Sequence, residues 1–238
     1  RIASNDFFDV SKDVVSKMIA GEYTAQQAYR AFNAQLLAEE TPADDEIVLT
    51  SGKSYSNVFH ANGGSASFSV MANTLRGVYG TDVLLATANS FTGSVLQADY
   101  NKKMAASMIM PNGLMSRQRT MTGAELKETV RAFVEGCEGG FVPFNRGSLP
   151  VVSGIAVEVK EAGGSYTLTG ITRNGQPLRD DDTVTVTCLA AENQMEALLA
   201  SESGRSLDGD TWVKNRWRDH VSGGGAALAE PENYMTLR

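Results

Sequence analysis

Apolar and polar positions recur along this chain with two different periods, and the changes of period mark its elements. The first forty residues read as helical. Val10, Val14, Met18 and Ile19 form one stripe closed by Gly21, and Ala28, Phe32 and Leu36 repeat at helical spacing behind a Thr24 cap. The acidic stretch AEETPADDE at 38–46 reads as a linker, so the chain is expected to divide into a helical hairpin at 1–46 and a larger domain at 47–238. IVLTS at 47–51 suggests a strand, and HANGGSAS after it a glycine-rich loop. Phe68, Met71, Ala72, Leu75 and Tyr79 share one helical face, with Ser65 as cap and Gly80 as stop. VLLAT at 83–87 is a continuous apolar run, suited to a strand buried on both faces.

Residues 104–121 are Met-rich and predict two strands broken at Pro111-Asn112-Gly113. In MTGAELKETVRAFVEG at 121–136, Thr122 can cap a helix and Glu125 can answer it, which makes a capping box. Leu126, Val130, Phe133, Val134 and Cys137 supply the buried stripe of that helix. Residues 136–150 read as loop. Alternation with period two returns at 151–159 and 164–172, followed by the hairpin pair Asn174-Gly175. TVTVTCL at 183–189 is a β-branched strand. Helices are expected at 191–200 and 210–221, the second carrying Trp212, Val213, Trp217 and Val221. The tail beyond has little pattern and is expected to be partly loose. Strands interleaved with helices predict an α/β domain, a mixed sheet with flanking helices.

Charge narrows the function classes. The 238 residues carry a net charge of −7. An acidic chain gains nothing from counterion release, so no nucleic-acid partner is expected. Trp212, Lys214, Arg216, Trp217 and Arg218 accordingly read as a packed aromatic face beside a solvated charged one. No apolar run approaches the roughly eighteen residues of a membrane helix, so no membrane insertion is expected. The chain opens RIASNDFF, without Met or a leader pattern, and is expected to be a trimmed piece of a longer protein. Cys137 and Cys188 sit in apolar patterns and read as free buried thiols, with pairing in an oxidising compartment as the alternative. His60 and His220 read as surface or core residues rather than ligands. Asn62-Gly63-Gly64-Ser65 reads as a turn and cap rather than an anion cradle. Asp180-Asp181-Asp182 reads as a solvated turn rather than a cation site.

Several segments, taken in order, carry a resemblance. ASFSVMANTLRGVYGTDVLLATANSFTGSV, Pro111-Asn112-Gly113-Leu114, MTGAELKETV, LPVVSG and NGQPLRDDDTVTVTCLAA follow one another over residues 65–238. In order and spacing they resemble the C-terminal domain of 5′-nucleotidases. The hairpin at 6–37 resembles the helical end segments of extracellular solute-binding proteins. The first resemblance implies a 5′-nucleotidase C-terminal-like α/β fold and a location that is extracellular, periplasmic or at the cell surface. It also implies a family architecture in which this domain holds the nucleotide and an N-terminal metallophosphatase domain hydrolyses it with two metal ions. A two-metal site needs several His and carboxylate ligands. This sequence has two histidines and no clustered His-Asp motif. The chain alone is therefore expected to hold no metal, no cofactor and no catalytic residue.

The binding half also departs from the family. The glycine-rich loop whose Arg faces the substrate aligns with Thr87-Ala88-Asn89-Ser90-Phe91-Thr92, so Thr92 stands at the Arg position. Thr cannot make the bidentate charged contact of Arg. Asn112 stands where the family's stacking Phe would be. The resemblance makes Asn89, Thr92 and Asn112 candidate ligand-contacting residues. Phe141-Val142-Pro143-Phe144 reads first as core, with a replacement stacking face as the alternative, and on that alternative Phe144 joins the ligand-contacting candidates. The expected function is a non-catalytic ligand-binding or interaction module with a degenerate nucleotide site. Its partners would be a small nucleotide-like or sugar-like molecule and the upstream domain of the full-length protein. The alternative is the specificity half of a metal-dependent nucleotide phosphohydrolase of nucleotide catabolism. A component of a solute-uptake system is a third reading, resting on the hairpin alone.

Overall fold

The computed structural model describes residues 17, 20–21, 46–109, 114–135, 150–163, 165–191, 205–206, 211–223 and 226–238. The chain divides into two compact units, Arg1–Glu46 and Ile47–Arg238. The helices expected in the first forty residues, and the one at 191–200, lie almost wholly outside the described residues. In chain order the larger unit runs β1 (Ile47–Ser51), β2 (Phe59–His60), β3 (Gly64–Ser65), α1 (Ala66–Tyr79) and β4 (Val83–Thr87). It continues with β5 (Ala98–Asn101), α2 (Lys102–Ala106), β6 (Leu114–Thr122), α3 (Gly123–Glu135), β7 (Pro150–Ser153) and β8 (Ala156–Ala162). Last come β9 (Ser165–Arg173), β10 (Gln176–Pro177), β11 (Thr183–Ala191), β12 (Arg205–Ser206), β13 (Thr211–Trp212), α4 (Val213–Ser222) and β14 (Met235–Leu237).

The main sheet has the order β12-β6-β11-β4-β7, with β13 also on β6. Its β11–β4 pair is parallel and its other pairs are antiparallel. A second sheet, β10-β9-β8-β14, takes β14 parallel to β8. Two small antiparallel ribbons, β1–β5 and β2–β3, complete the strands. This is the mixed α/β architecture that the pattern predicts.

Helix α1 begins where Ser65 accepts the Phe68 N–H and ends at the left-handed Gly80. Its apolar face (Phe68, Met71, Ala72, Leu75) is buried as expected, and so are Ser69, Asn73 and Thr74. Residues of the chain's end satisfy those polar groups. The Ser69 hydroxyl donates to the Glu232 carbonyl (2.9 Å) and the Asn73 amide to that of Glu230 (2.8 Å). The Ala229 N–H donates to the Thr74 hydroxyl (2.9 Å). The tail is therefore not loosely held. It runs over α1, buries Tyr234 and Met235, and enters the second sheet as β14. Its sequence lacks a pattern because most of these contacts are backbone to side chain.

Two other expectations are corrected. Residues 102–106 form α2, not a strand: Asn101 accepts the Met104 N–H at 2.9 Å and caps a short helix. The carbonyl of Ala105 then accepts the indole N–H of the buried Trp217 at 2.7 Å. The alternation at 151–159 belongs to two strands, β7 and β8, which lie in different sheets. The chain turns between them at Gly154, whose φ of +81° disfavours any residue with a side chain. A Cβ there would also meet the Asp82 carbonyl oxygen at 2.0 Å.

The capping box forms in full. The Thr122 N–H donates to the Glu125 carboxylate (2.7 Å), and the Glu125 N–H donates to the Thr122 hydroxyl (3.2 Å). The N–H groups of Gly123 and Ala124 donate to the carbonyls of Asp182 and Asp180. The triple-Asp turn thus completes the start of α3. Gly123 sits so close to Arg179 that an added Cβ would lie 1.8 Å from its carbonyl oxygen. On helix propensity alone Gly123→Ala would gain about 1 kcal/mol. We expect instead a loss of about 1–3 kcal/mol in urea unfolding. A more stable variant would refute the importance of this approach.

Candidate functional site

Open α/β sheets bind ligands outside the carboxyl ends of their strands. Here β4 ends at Thr87, paired with Pro150 at the start of β7, and β11 ends at Ala191, paired with Leu114 at the start of β6. These ends share one edge of the main sheet. The described loop there runs from the 3-10 turn Ala88–Ser90 to Val95. It is pinned on both sides. Phe91 is buried and stacks on Phe68 of α1 with ring centres 6.1 Å apart. The hydroxyl of Ser67 donates to the Gly93 carbonyl (2.9 Å) and accepts the Val95 N–H (3.1 Å). The Thr92 N–H donates to the Met108 carbonyl at 3.0 Å, and the Thr92 hydroxyl donates to the Ser107 carbonyl.

Asn89 is exposed at the tip of this loop, and Thr92 is exposed two residues beyond its turn. Asn112 and Phe144 lie outside the described residues. Beside Asn89 the pattern missed Ser90, which is buried and whose hydroxyl has no hydrogen-bond partner among the described residues. The loop 88–94 contains no Lys or Arg. It offers hydroxyls, one amide and backbone groups, which suits neutral hydrogen bonding and supplies no charge for an anion.

The opposite end of β4 is charged. Asp82 accepts the N–H (2.8 Å) and hydroxyl (2.9 Å) of Thr185, and it pairs with Arg173. Arg76 and Glu232 complete a cleft of about 360 Å³ around this cluster. Arg76 donates to the Ser153 hydroxyl at 2.8 Å, so both guanidinium groups are engaged. Burial raises the Asp82 pKa, but the Thr185 hydrogen bonds and the nearby Arg173 and Arg76 outweigh it and hold the carboxyl below its usual range. This end reads as a joint between strands.

His60 is exposed on β2, and His220 lies half-buried on α4. Asp180 pairs with Lys127 (2.7 Å) and Asp181 with Arg179 (2.7 Å). Among the described residues no group of three or more His, Cys, Asp and Glu could hold a metal ion, so they do not fit a two-metal centre. Cys188 is a free, buried thiol whose pKa burial pushes up to about 12, with Arg119 and Arg117 opposing weakly. It is therefore unreactive at neutral pH. Cys137 lies outside the described residues.

No family model matches the sequence, and no curated protein matches it. Solved structures do. A 5′-nucleotidase precursor from Thermus thermophilus matches with a TM-score of 0.63 at 14% identity, over 90% of this chain and 43% of that one. The NAD nucleotidase of Haemophilus influenzae matches with a TM-score of 0.61 at 16% identity, over 91% and 42%. A putative 5′-nucleotidase from Staphylococcus aureus, solved with α-ketoglutarate, matches with a TM-score of 0.63 at 12% identity, over 90% and 44%. The fold is 5′-nucleotidase-like. The chain spans under half the length of each of these structures.

The Asp82 joint makes a pH prediction. Its folded pKa lies below the unfolded value of about 3.9, so its stabilisation is complete above that pH and is lost as pH falls through the folded value. Asp82→Asn should lower the Tm at neutral pH and flatten the acid limb of the Tm–pH curve. Parallel curves for the two proteins would refute this assignment.

Proposed function

We propose that residues 47–238 are the ligand-holding, C-terminal domain of a longer 5′-nucleotidase-like protein, working outside the cytoplasm as a non-catalytic binding or interaction module. One observation carries this reading. The fold is kept, yet the loop beyond β4 has no cation, and Thr92, at the family's Arg position, spends its hydroxyl on the Ser107 carbonyl. Loss of a bidentate Arg contact removes a charge-assisted pair of hydrogen bonds. The ligand this loop suits is a neutral, hydroxyl-rich or nucleoside-like molecule rather than a phosphate ester.

The second reading makes the chain the specificity half of a metal-dependent nucleotide phosphohydrolase. It is favoured by the share of the matched nucleotidases that the chain spans, 42–44%. In that case the metal ligands and the hydrolytic chemistry belong to other residues of the full-length protein.

Calorimetry with AMP, adenosine and simple sugars separates the two. The first reading expects AMP to bind no tighter than about 1 mM, with no advantage over adenosine. Micromolar AMP binding that depends on the phosphate would overturn it. Phosphate release from AMP by the full-length protein with divalent metal would support the second.

A further inference from the structure

An open groove lies beside the C-terminal half of α1. It encloses about 650 Å³ between the C-terminal half of α1, α4 and residues 227–229. Small-molecule sites commonly enclose about 300–1,000 Å³. Val78, Leu228 and the exposed Gly77 are among its lining residues. Gly77 sits inside a helix, where glycine is costly relative to alanine. Among the described residues no atom outside its own helix lies within 4 Å of where its Cβ would be. Packing therefore does not demand this glycine, and its missing side chain leaves that part of the groove open.

Arg216, Asp219 and His220 of α4 bring polar chemistry to the same groove. Arg216 is exposed, and its guanidinium lies 5.9 Å from the centre of the Tyr79 ring. Among the described residues no carboxylate pairs with it, while its neighbour Asp219 is taken by Arg218 at 3.1 Å. A guanidinium lying over an aromatic ring keeps edge N–H groups for a carboxylate. His220 also lines the groove. Its Nε2 is shut from solvent and has no hydrogen-bond partner among the described residues. An unpaired buried nitrogen is unfavourable. The groove's charged lining residues are Arg216 and Asp219, and with Asp219 held by Arg218 a single guanidinium is left to an anion, which matches a monocarboxylate better than a dianion.

We propose that this groove binds a small monocarboxylate with an apolar body, its carboxylate on Arg216 and its apolar part over Gly77. The site is independent of the loop beyond β4 and of the reading given for it.

Calorimetry with phenylacetate tests this, with phenylacetamide as the uncharged control. Phenylacetate should bind at least about tenfold more tightly than the amide. Arg216→Gln should weaken phenylacetate binding about tenfold and leave the amide unchanged. Gly77→Leu should block both, and Gly77→Ala should raise the Tm while weakening binding. Arg216→Gln changes an exposed side chain, so the test survives if Gly77→Leu fails to fold. No binding of phenylacetate at millimolar concentration, equal binding of the amide, or binding that Arg216→Gln does not change would each overturn the proposal.

Discussion

The two sheets of the larger unit meet at one carboxylate. Parallel strands have no hairpin to set their register, so the β11–β4 pair needs another device. Asp82 supplies it. It stands just before β4 and accepts both the N–H and the hydroxyl of Thr185 on β11. It also takes the guanidinium of Arg173 from the second sheet. Its carbonyl leaves room only for a glycine at 154, where the chain passes from one sheet to the other. A partly buried carboxylate is tolerable because every partner is a donor aimed at it. Loss of this residue would loosen the strand pair, the sheet junction and the turn together.

This arrangement divides the main sheet into two chemically different ends. The end at Asp82 concentrates ionised groups, and their mutual hydrogen bonds leave little for a ligand. The end beyond Thr87 is held by aromatic stacking and by hydroxyl contacts to backbone, without ionised side chains in its described loop. A loop pinned at Phe91, Thr92 and Val95 keeps Asn89 on a fixed base, which suits recognition by preorganised neutral groups. The same pinning uses up the Thr92 hydroxyl. The strand ends are thus shaped by packing and backbone contacts, and the described loop beyond them carries no ionised side chain.

The sequence was legible where the contacts are local. The capping box of α3, the cap and stop of α1, and the hairpin at Asn174-Gly175, both with positive φ, each depend on neighbours a few residues apart. Local pattern misled where a distant partner decides. The alternation around Gly154 continues across a change of sheet, because period two reports which face a side chain takes and not which sheet it joins. The apolar spacing of α1 carries no sign that Ser69, Asn73 and Thr74 are buried too, because the residues that cover and satisfy them lie more than 150 positions away. Met104 and Ala105 look like a strand until the Asn101 cap and the Trp217 indole are in view. At the candidate site, Asn89 and Thr92 came from resemblance alone. Ser90 and the tie from Thr92 to Ser107 could not be read, since both depend on how the loop folds back on residues 107–109.

Glycines sharpen the same distinction between scaffold and site. Gly123 and Gly154 are each fixed by a carbonyl oxygen within about 2 Å of the place a Cβ would occupy, so the fold alone accounts for them. Gly77 has no such neighbour among the described residues. It has ordinary helical geometry, so backbone conformation does not require it either. A helix-interior glycine without a packing reason costs stability relative to alanine, by about 0.5–1 kcal/mol. Proteins keep such residues where another backbone, a side chain or a ligand must come close. Here the first two are absent from the described structure. Arg216 lines the same groove and has no carboxylate partner among the described residues, and a carboxylate with an apolar body would answer both.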